Sequence, residues 1–192
     1  MELVSIFFIS YLMGSIPFGF LLTKVILNKD IRKIGSGNIG ATNALRAGNK
    51  LVGYSTLILD VLKAVIPILI IKIKFPELLF VSSLILFLGH VFPIWLNFKG
   101  GKGVATYVGI LFCIDYILGF VFLISWLTIF LISKYSSLSS LLASLSVPIF
   151  YFFLVDSGTN YFFVILFILI FYTHRENIKR LINNTESKTK IY

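Results

Sequence analysis

The chain has 192 residues, 58% of them hydrophobic and 13% charged, with a formal net charge of +9. A soluble domain is closer to half apolar and a quarter charged, and here the apolar residues come in span-length blocks, which excludes a water-soluble globule. The basic residues are strung between those blocks as a topology signal rather than a nucleic-acid footprint, and the single Cys113 allows neither a disulfide framework nor a cysteine metal cluster.

The first apolar block covers residues 3–27. It opens with Glu2 rather than a basic leader, and no small-x-small cleavage site follows, so a retained spanning helix is expected, not a signal peptide. Within it, Gly14-Ser15-Ile16-Pro17-Phe18-Gly19 predicts a kink and a close-packing site. Residues 28–50 form the longest non-apolar stretch, with four glycines and basic residues at both ends. Blocks at 51–71 and 78–96 follow. The first carries Asp60 and Lys63 one helical turn apart, where a structural ion pair is expected because charge inside a span is costly. Residues 97–106 are a second glycine-rich stretch. The next segment, 104–114, is too short to span at about 1.5 Å per residue and predicts a broken or re-entrant helix. Spans at 116–133, 138–155 and 161–173 complete the set, and most of the blocks reach the 17–20 residues a bilayer requires. From His174 the tail is expected to extend the last helix over 175–182 and to fray over 187–192.

The result is an all-α, polytopic membrane helix bundle of about seven transmembrane helices, one short or broken, forming a single domain over 1–192. An N-terminus outside and a cytoplasmic C-terminus put fourteen of the seventeen basic residues inside, including Lys99, Lys102, Lys134 and tail residues to Lys190. Lys72 and Lys74 fall outside, Asp115 and Asp156 lie in short outer loops, and Lys63 lies within a span. That bias follows the positive-inside rule.

Gly35-Ser36-Gly37-Asn38-Ile39-Gly40 matches the dinucleotide pattern G-x-G-x-x-G, but a membrane helix precedes it where that pattern needs a strand. What survives is the physical use of such a loop, in which backbone N–H groups and a helix start receive an anion. Ser36, Asn38, Thr42 and Asn43 can add hydrogen bonds, and Arg46 offers a bidentate fork for phosphate. Phe98-Lys99-Gly100-Gly101-Lys102-Gly103-Val104-Ala105-Thr106 is a second basic glycine loop. It is not a Walker A sequence, because Gly103 follows Lys102 where Ser or Thr is required. His90 is expected to be a helix-end residue bonded to backbone. His174 opens a basic run with Asn177 at i+3 on the same side, a placement suited to a general base or a hydrogen-bond donor.

Three stretches together resemble the signature motifs of the bacterial acyl-phosphate:glycerol-3-phosphate acyltransferases. They are Ser36 to Arg46, Gly89-His90 through Lys99-Gly100-Gly101-Lys102-Gly103 to Thr106, and His174 to Glu186, in the same order and spacing. Asp60-Val61-Leu62-Lys63 also has a counterpart, and the similarity covers nearly the whole chain. Thr173 and Asn184 depart from the third motif, where many members carry Arg and Gly. The resemblance implies a multi-pass enzyme of the bacterial inner (cytoplasmic) membrane with its active site facing the cytoplasm. It would transfer a fatty acyl group from acyl phosphate to the sn-1 hydroxyl of glycerol 3-phosphate, giving lysophosphatidic acid and phosphate for phospholipid biosynthesis.

No metal or cofactor is implied, and the partners are glycerol 3-phosphate, fatty acyl phosphate and membrane lipid, with no nucleic acid or protein partner evident. Carried over residue by residue, the substrate-binding set is Ser36, Gly37, Asn38, Gly40, Asn43, Arg46, Lys99, Gly100, Gly101, Lys102, Gly103 and Thr106. Within it Ser36, Arg46 and Lys102 hold the glycerol phosphate, while Lys99 and the Gly100–Gly103 backbone neutralise the acyl phosphate. The catalytic residues are His174, Ser36 and Asn177. Both substrates carry phosphate, so direct transfer by proximity and charge neutralisation is expected. The alternative is a transporter or channel for a phosphorylated metabolite, since broken helices with glycine-rich ends also hold ions.

Overall fold

The computed structural model describes residues 2–154 and 160–189. Asp156 and Lys190, expected in an outer loop and in the tail, lie outside these residues. Among the described residues there are ten α-helices and no strand. Three helical segments are long and apolar enough to cross a membrane, Pro76–Leu96, Tyr116–Ser133 and Ser136–Leu154, or up to five if each of two bent pairs is one span. The chain forms two compact units, Met1–Cys113 and Ile114–Tyr192.

In the first unit, α1 (Glu2–Ser15) and α2 (Phe18–Leu27) meet at a 41° bend. Pro17 at the break cannot donate its nitrogen to the helical ladder, as the sequence predicts. After the loop come a short α3 (Ala41–Arg46), the long α4 (Lys50–Lys74), α5 (Leu79–Val91) and α6 (Val104–Ile114). Helix α4 has 25 residues, or about 37 Å at 1.5 Å per residue. It is the spine of this unit, touching α1, α2, α3 and α5. Glycine sets the closest approaches. A Cβ at Gly14 would strike the Leu86 carbonyl, and one at Gly89 would strike the Tyr11 carbonyl, so α1 and α5 meet backbone to backbone. The Tyr11 hydroxyl then donates to the Phe92 carbonyl at 2.7 Å. Gly109 brings α6 against α4 in the same way, at the Val61 carbonyl and Ala64. The free Cys113 is buried there as a small hydrophobe, its sulfur 3.7 Å from the Val65 carbonyl.

In the second unit, α7 (Tyr116–Ser133) starts at Asp115, whose carboxylate accepts the Ile117 N–H at 2.8 Å. It packs on α8 (Ser136–Leu154), which packs on α9 (Asn160–Thr173). Trp126 donates to Ser140 Oγ at 3.1 Å and stacks on Phe130. The outward faces stay apolar: Ile132 is 80% and Phe153 75% exposed, a surface suited to lipid rather than water. The tail helix α10 (Arg175–Ile182) does not extend α9. It turns away by 61° at His174, which corrects the expected straight continuation.

Candidate functional site

Residues 28–49 form the first loop, and one buried side chain organises it. Asn43 on α3 is 2% exposed. Its Oδ1 accepts the Ser36 N–H at 3.0 Å, and its Nδ2 donates to the carbonyls of Asn38, Ile34 and Ile31 at 2.8, 2.9 and 3.2 Å. Asn38 Oδ1 accepts the Gly40 N–H at 2.9 Å, a local turn that feeds the start of α3. Ser36 is thereby held at an exposed tip. Gly35 underlies the turn, since a Cβ there would strike Asn43 Oδ1 and sit 3.2 Å from Arg46 Cδ. Ser36 and Arg46 therefore flank the same turn. At the loop's start, Asp30 caps the turn Ile31–Lys33 and pairs with Arg32 at 2.7 Å. The Arg32 side-chain hydrogen bonds, backed by its backbone N–H, hold the half-buried Asp30 carboxyl down at about 2. The same bonds raise Arg32.

The second loop, residues 92–103, folds back onto the end of α5. The N–H groups of Gly100 and Gly101 donate to the carbonyls of Val91 and His90 at 3.0 and 3.1 Å. These amides close the helix end, so they do not form the expected backbone cradle, and the loop's positive charge rests on Lys99 and Lys102. Lys99 is exposed and Lys102 half-buried. Gly101 faces the His90 ring, Gly100 faces the α5 end and Pro93, and Gly103, at φ +87°, faces the Phe87 ring. Thr106, on the first turn of α6, is fully buried and its hydroxyl makes no hydrogen bond.

One apolar cluster brings the two loops together. Ile31, Ile39, Ala44 and Val52 around the first loop pack with Leu96 from the second, flanked by Phe20, Leu22 and Leu27. Ile31 is fully buried and Leu96 6% exposed, each contributing on the order of 2 kcal/mol. Ser36, Arg46, Lys99 and Lys102 thus stand on two loops with a shared floor. Asp60 and Lys63 form the expected buried ion pair, with Lys63 Nζ 2.8 Å from Asp60 Oδ1. His90 departs from expectation: its Nδ1 makes no backbone bond and lies 3.9 Å from Asp60 Oδ1.

In the second unit, His174 sits at the α9–α10 bend, 2% exposed. Its Nδ1 is 2.8 Å from the Ile170 carbonyl. A carbonyl only accepts, so the Nδ1 nitrogen carries the proton and Nε2 is the basic nitrogen of the neutral ring. Asn177, one turn on, is buried beside it in sequence and donates Nδ2 to Glu186 Oε1 at 2.7 Å, while its own Oδ1 makes no hydrogen bond. Glu186 is a hub that sequence reasoning did not single out. It also accepts from Ser137 on α8 at 2.8 Å and from Arg180 at 2.6 Å. Burial pushes the Glu186 carboxyl up, but the hydrogen bonds from Arg180, Asn177 and Ser137 outweigh it, and the net direction is down. The signal that could have found it is a carboxylate closing a run of basic residues.

Comparison with known proteins settles the family. Residues 4–184 match the family model described as glycerol-3-phosphate acyltransferase. The chain is 65% identical over 192 residues to a glycerol-3-phosphate acyltransferase of Pelagibacter ubique (strain HTCC1062), covering all of both chains. It is 49% identical over 178 residues to one from Mesorhizobium japonicum, covering 93% of this chain and 91% of that one. The crystal structure of PlsY (YgiH), an integral membrane glycerol 3-phosphate acyltransferase, in its glycerol 3-phosphate form superposes with a TM-score of 0.93 at 37% identity, covering 99% of this chain and 96% of that one. Its lysophosphatidic acid form gives 0.87 at the same identity, covering 98% and 95%. A helical protein with apolar outer faces, two basic glycine loops on one floor and matches of this extent belongs to the glycerol-3-phosphate acyltransferase family.

Proposed function

We propose that the chain transfers a fatty acyl group from acyl phosphate to the sn-1 hydroxyl of glycerol 3-phosphate, as a seven-helix inner-membrane enzyme acting on the cytoplasmic side. The observation that carries this reading is the shared floor under the two basic loops, joined through Leu96, Ile31 and Ile39. Both substrates are phosphate esters or anhydrides, and each loop supplies cations on a backbone held in place. The solved relative in its glycerol 3-phosphate form supports that ligand for this chain. Ser36, Arg46 and Lys102 hold the glycerol phosphate, with Gly37, Asn38, Gly40 and Asn43 shaping their loop. Lys99 neutralises the acyl phosphate, and the Gly100–Gly103 backbone and Thr106 position the lysines. The two units act as one acyltransferase domain, and lipid carries the donor and the product.

The hydroxyl oxygen attacks the acyl carbonyl carbon while the carbon–oxygen bond to phosphate breaks, and phosphate leaves with the electron pair. His174 Nε2 receives the hydroxyl proton, and Asn177 orients the hydroxyl. Acyl phosphate is already activated, so placement and charge neutralisation supply the rate. Neither a metal nor coenzyme A takes part, and no acyl-enzyme forms.

The test uses the purified chain in detergent with glycerol 3-phosphate and either acyl phosphate or acyl coenzyme A. Lysophosphatidic acid is expected from acyl phosphate alone, with kcat/KM falling on the order of 100-fold or more in Arg46→Ala and in His174→Ala. Turnover with acyl coenzyme A sinks the donor assignment, and a trapped acyl-Ser36 sinks direct transfer. Flux of glycerol 3-phosphate into proteoliposomes without turnover selects the transporter instead.

A further inference from the structure

Beneath the second loop lies a buried polar cluster that the proposed chemistry does not use. Asp60 and Lys63 on α4 are each 3% exposed and His90 on α5 is 4% exposed. Lys63 Nζ stands 2.8 Å from Asp60 Oδ1 and donates to the Ile16 carbonyl at 2.6 Å, in the break between α1 and α2. It also sits 5.8 Å over the Phe18 ring, at the start of α2. On the other side of Asp60, His90 Nδ1 approaches Oδ1 to 3.9 Å and has no hydrogen bond of its own.

The far edge of the His90 ring meets the second loop. A Cβ on Gly101 would strike Nε2 and come within 2.7 Å of Cε1, and the His90 carbonyl takes the Gly101 N–H at 3.1 Å. The same broken helix supports the first loop. A Cβ on Gly19 of α2 would strike the Ile39 carbonyl and sit 3.0 Å from Thr56 Cγ2 of α4. A continuous chain of contacts therefore runs from the α1/α2 break through Lys63, Asp60 and His90 to Gly101, the residue before Lys102.

Stability is a poor reason for such a cluster. Well-packed apolar residues of similar volume commonly match or exceed a buried ion pair in stability, and charge within a span is costlier still. What the cluster does supply is position, because the ion pair ties α4 to the helix break and the His90 ring fills the space between that pair and Gly101.

We infer that Asp60, Lys63 and His90 form a strut under the second loop, and that His90 is a positioning residue for Lys102. Acting through Gly101, the imidazole sets where the neighbouring ammonium stands and so how tightly glycerol 3-phosphate is held. The inference rests on the assignment of Lys102 to the glycerol phosphate.

A double-mutant cycle on the full chain in detergent tests it, with glycerol 3-phosphate affinity read by calorimetry and both KM values read with acyl phosphate. His90→Ala and Gly101→Ala are each expected to weaken glycerol 3-phosphate binding about tenfold, while the double variant is no weaker than the weaker single, because the added methyl then occupies the space of the lost ring. KM for glycerol 3-phosphate rises in step, and in His90→Ala, which leaves the Gly100–Gly103 segment unaltered, KM for acyl phosphate stays within about twofold. Deficits that multiply to about 100-fold in the double variant, or equal rises in both KM values in His90→Ala, overturn the strut.

Should Gly101→Ala lose its cooperative melting transition, Asp60→Asn combined with Lys63→Met removes the pair without stranding a charge. A selective rise in glycerol 3-phosphate KM then supports the inference, and an unchanged KM overturns it. Wild type that binds glycerol 3-phosphate without turning over acyl phosphate sinks the donor assignment and leaves the binding cycle readable. Wild type that does not bind it overturns the Lys102 assignment and the strut together.

Discussion

Asn43 holds the first glycine-rich loop with four hydrogen bonds from a single buried amide, whereas the second loop is held by what its glycines lack. In the first, side chains do the structuring: Asp30, Asn38, Asn43 and Asn49 each bond a nearby backbone N–H. In the second, backbone bonds backbone, and Gly100, Gly101 and Gly103 let the chain lie against His90, Phe87 and the end of α5. The difference teaches that glycine and lysine near a helix start do not identify an anion cradle on their own. Amides that close a helix end are committed, and the cations beside them carry the charge.

The largest expected effect tests the first loop. Asn43→Ala strands the Ser36 N–H and three carbonyls, each costing roughly 1–3 kcal/mol where burial denies it water. Thermal unfolding should shift clearly downward, and kcat/KM should fall on the order of 100-fold or more as Ser36 and Arg46 lose their frame. Asn43→Asp discriminates further. It keeps the acceptor for Ser36 but turns a second oxygen on three carbonyls, so it should do no better than Ala. If Asp retains activity within about tenfold of wild type, the donor half of Asn43 is not what holds the loop.

A middle-sized effect is expected in the second loop. Gly103→Ala combines a left-handed backbone, costing about 1–2 kcal/mol, with a collision at the Phe87 ring. Adding Phe87→Leu should recover the steric part and leave the backbone part. Gly48, at φ +96° with nothing within 4 Å, supplies the reference: Gly48→Ala should show the backbone cost alone. The three melting temperatures separate the terms. If Gly103→Ala destabilises no more than Gly48→Ala, the Phe87 contact does not shape the loop.

Much of this was legible along the chain and much of it was not. The bounds of α6 and α7 follow the apolar runs, because Gly103 and Asp115 interrupt them and Asp115 caps the second. Pro17 announced the break in the first span, and the i, i+3 spacing announced the Asp60–Lys63 pair. His90 as a neighbour of that pair was hidden, because a contact between residues far apart in sequence depends on how α4 meets α5. The bend at His174 was hidden too, since an apolar run passing into a basic one carries no breaker. For Gly100 and Gly101, the pattern shows that the backbone is bare but not which way its N–H groups point. Glu186 escaped because its bonds to Asn177 and Arg180 need the chain to turn back after α10, and its third partner, Ser137, is far away in sequence.

The smallest expected effect bounds the first loop's dependence on side chains. Asp30 and Arg32 make a short contact, but both are solvated, so screening and side-chain entropy leave little net stability. The sign follows from the carboxyl being lowered to about 2 from 3.8. Whatever the contact adds is present above the unfolded value and is lost as pH falls through the folded one. At neutral pH, Asp30→Ala therefore removes that contribution in full, together with the cap on Ile31–Lys33, and also releases Arg32. Turnover should stay within about twofold of wild type, and any loss of melting temperature should shrink in high salt as the Debye length shortens. A loss approaching that of Asn43→Ala would show that the exposed entrance of the loop, and not its buried amide, sets the position of Ser36 and Arg46.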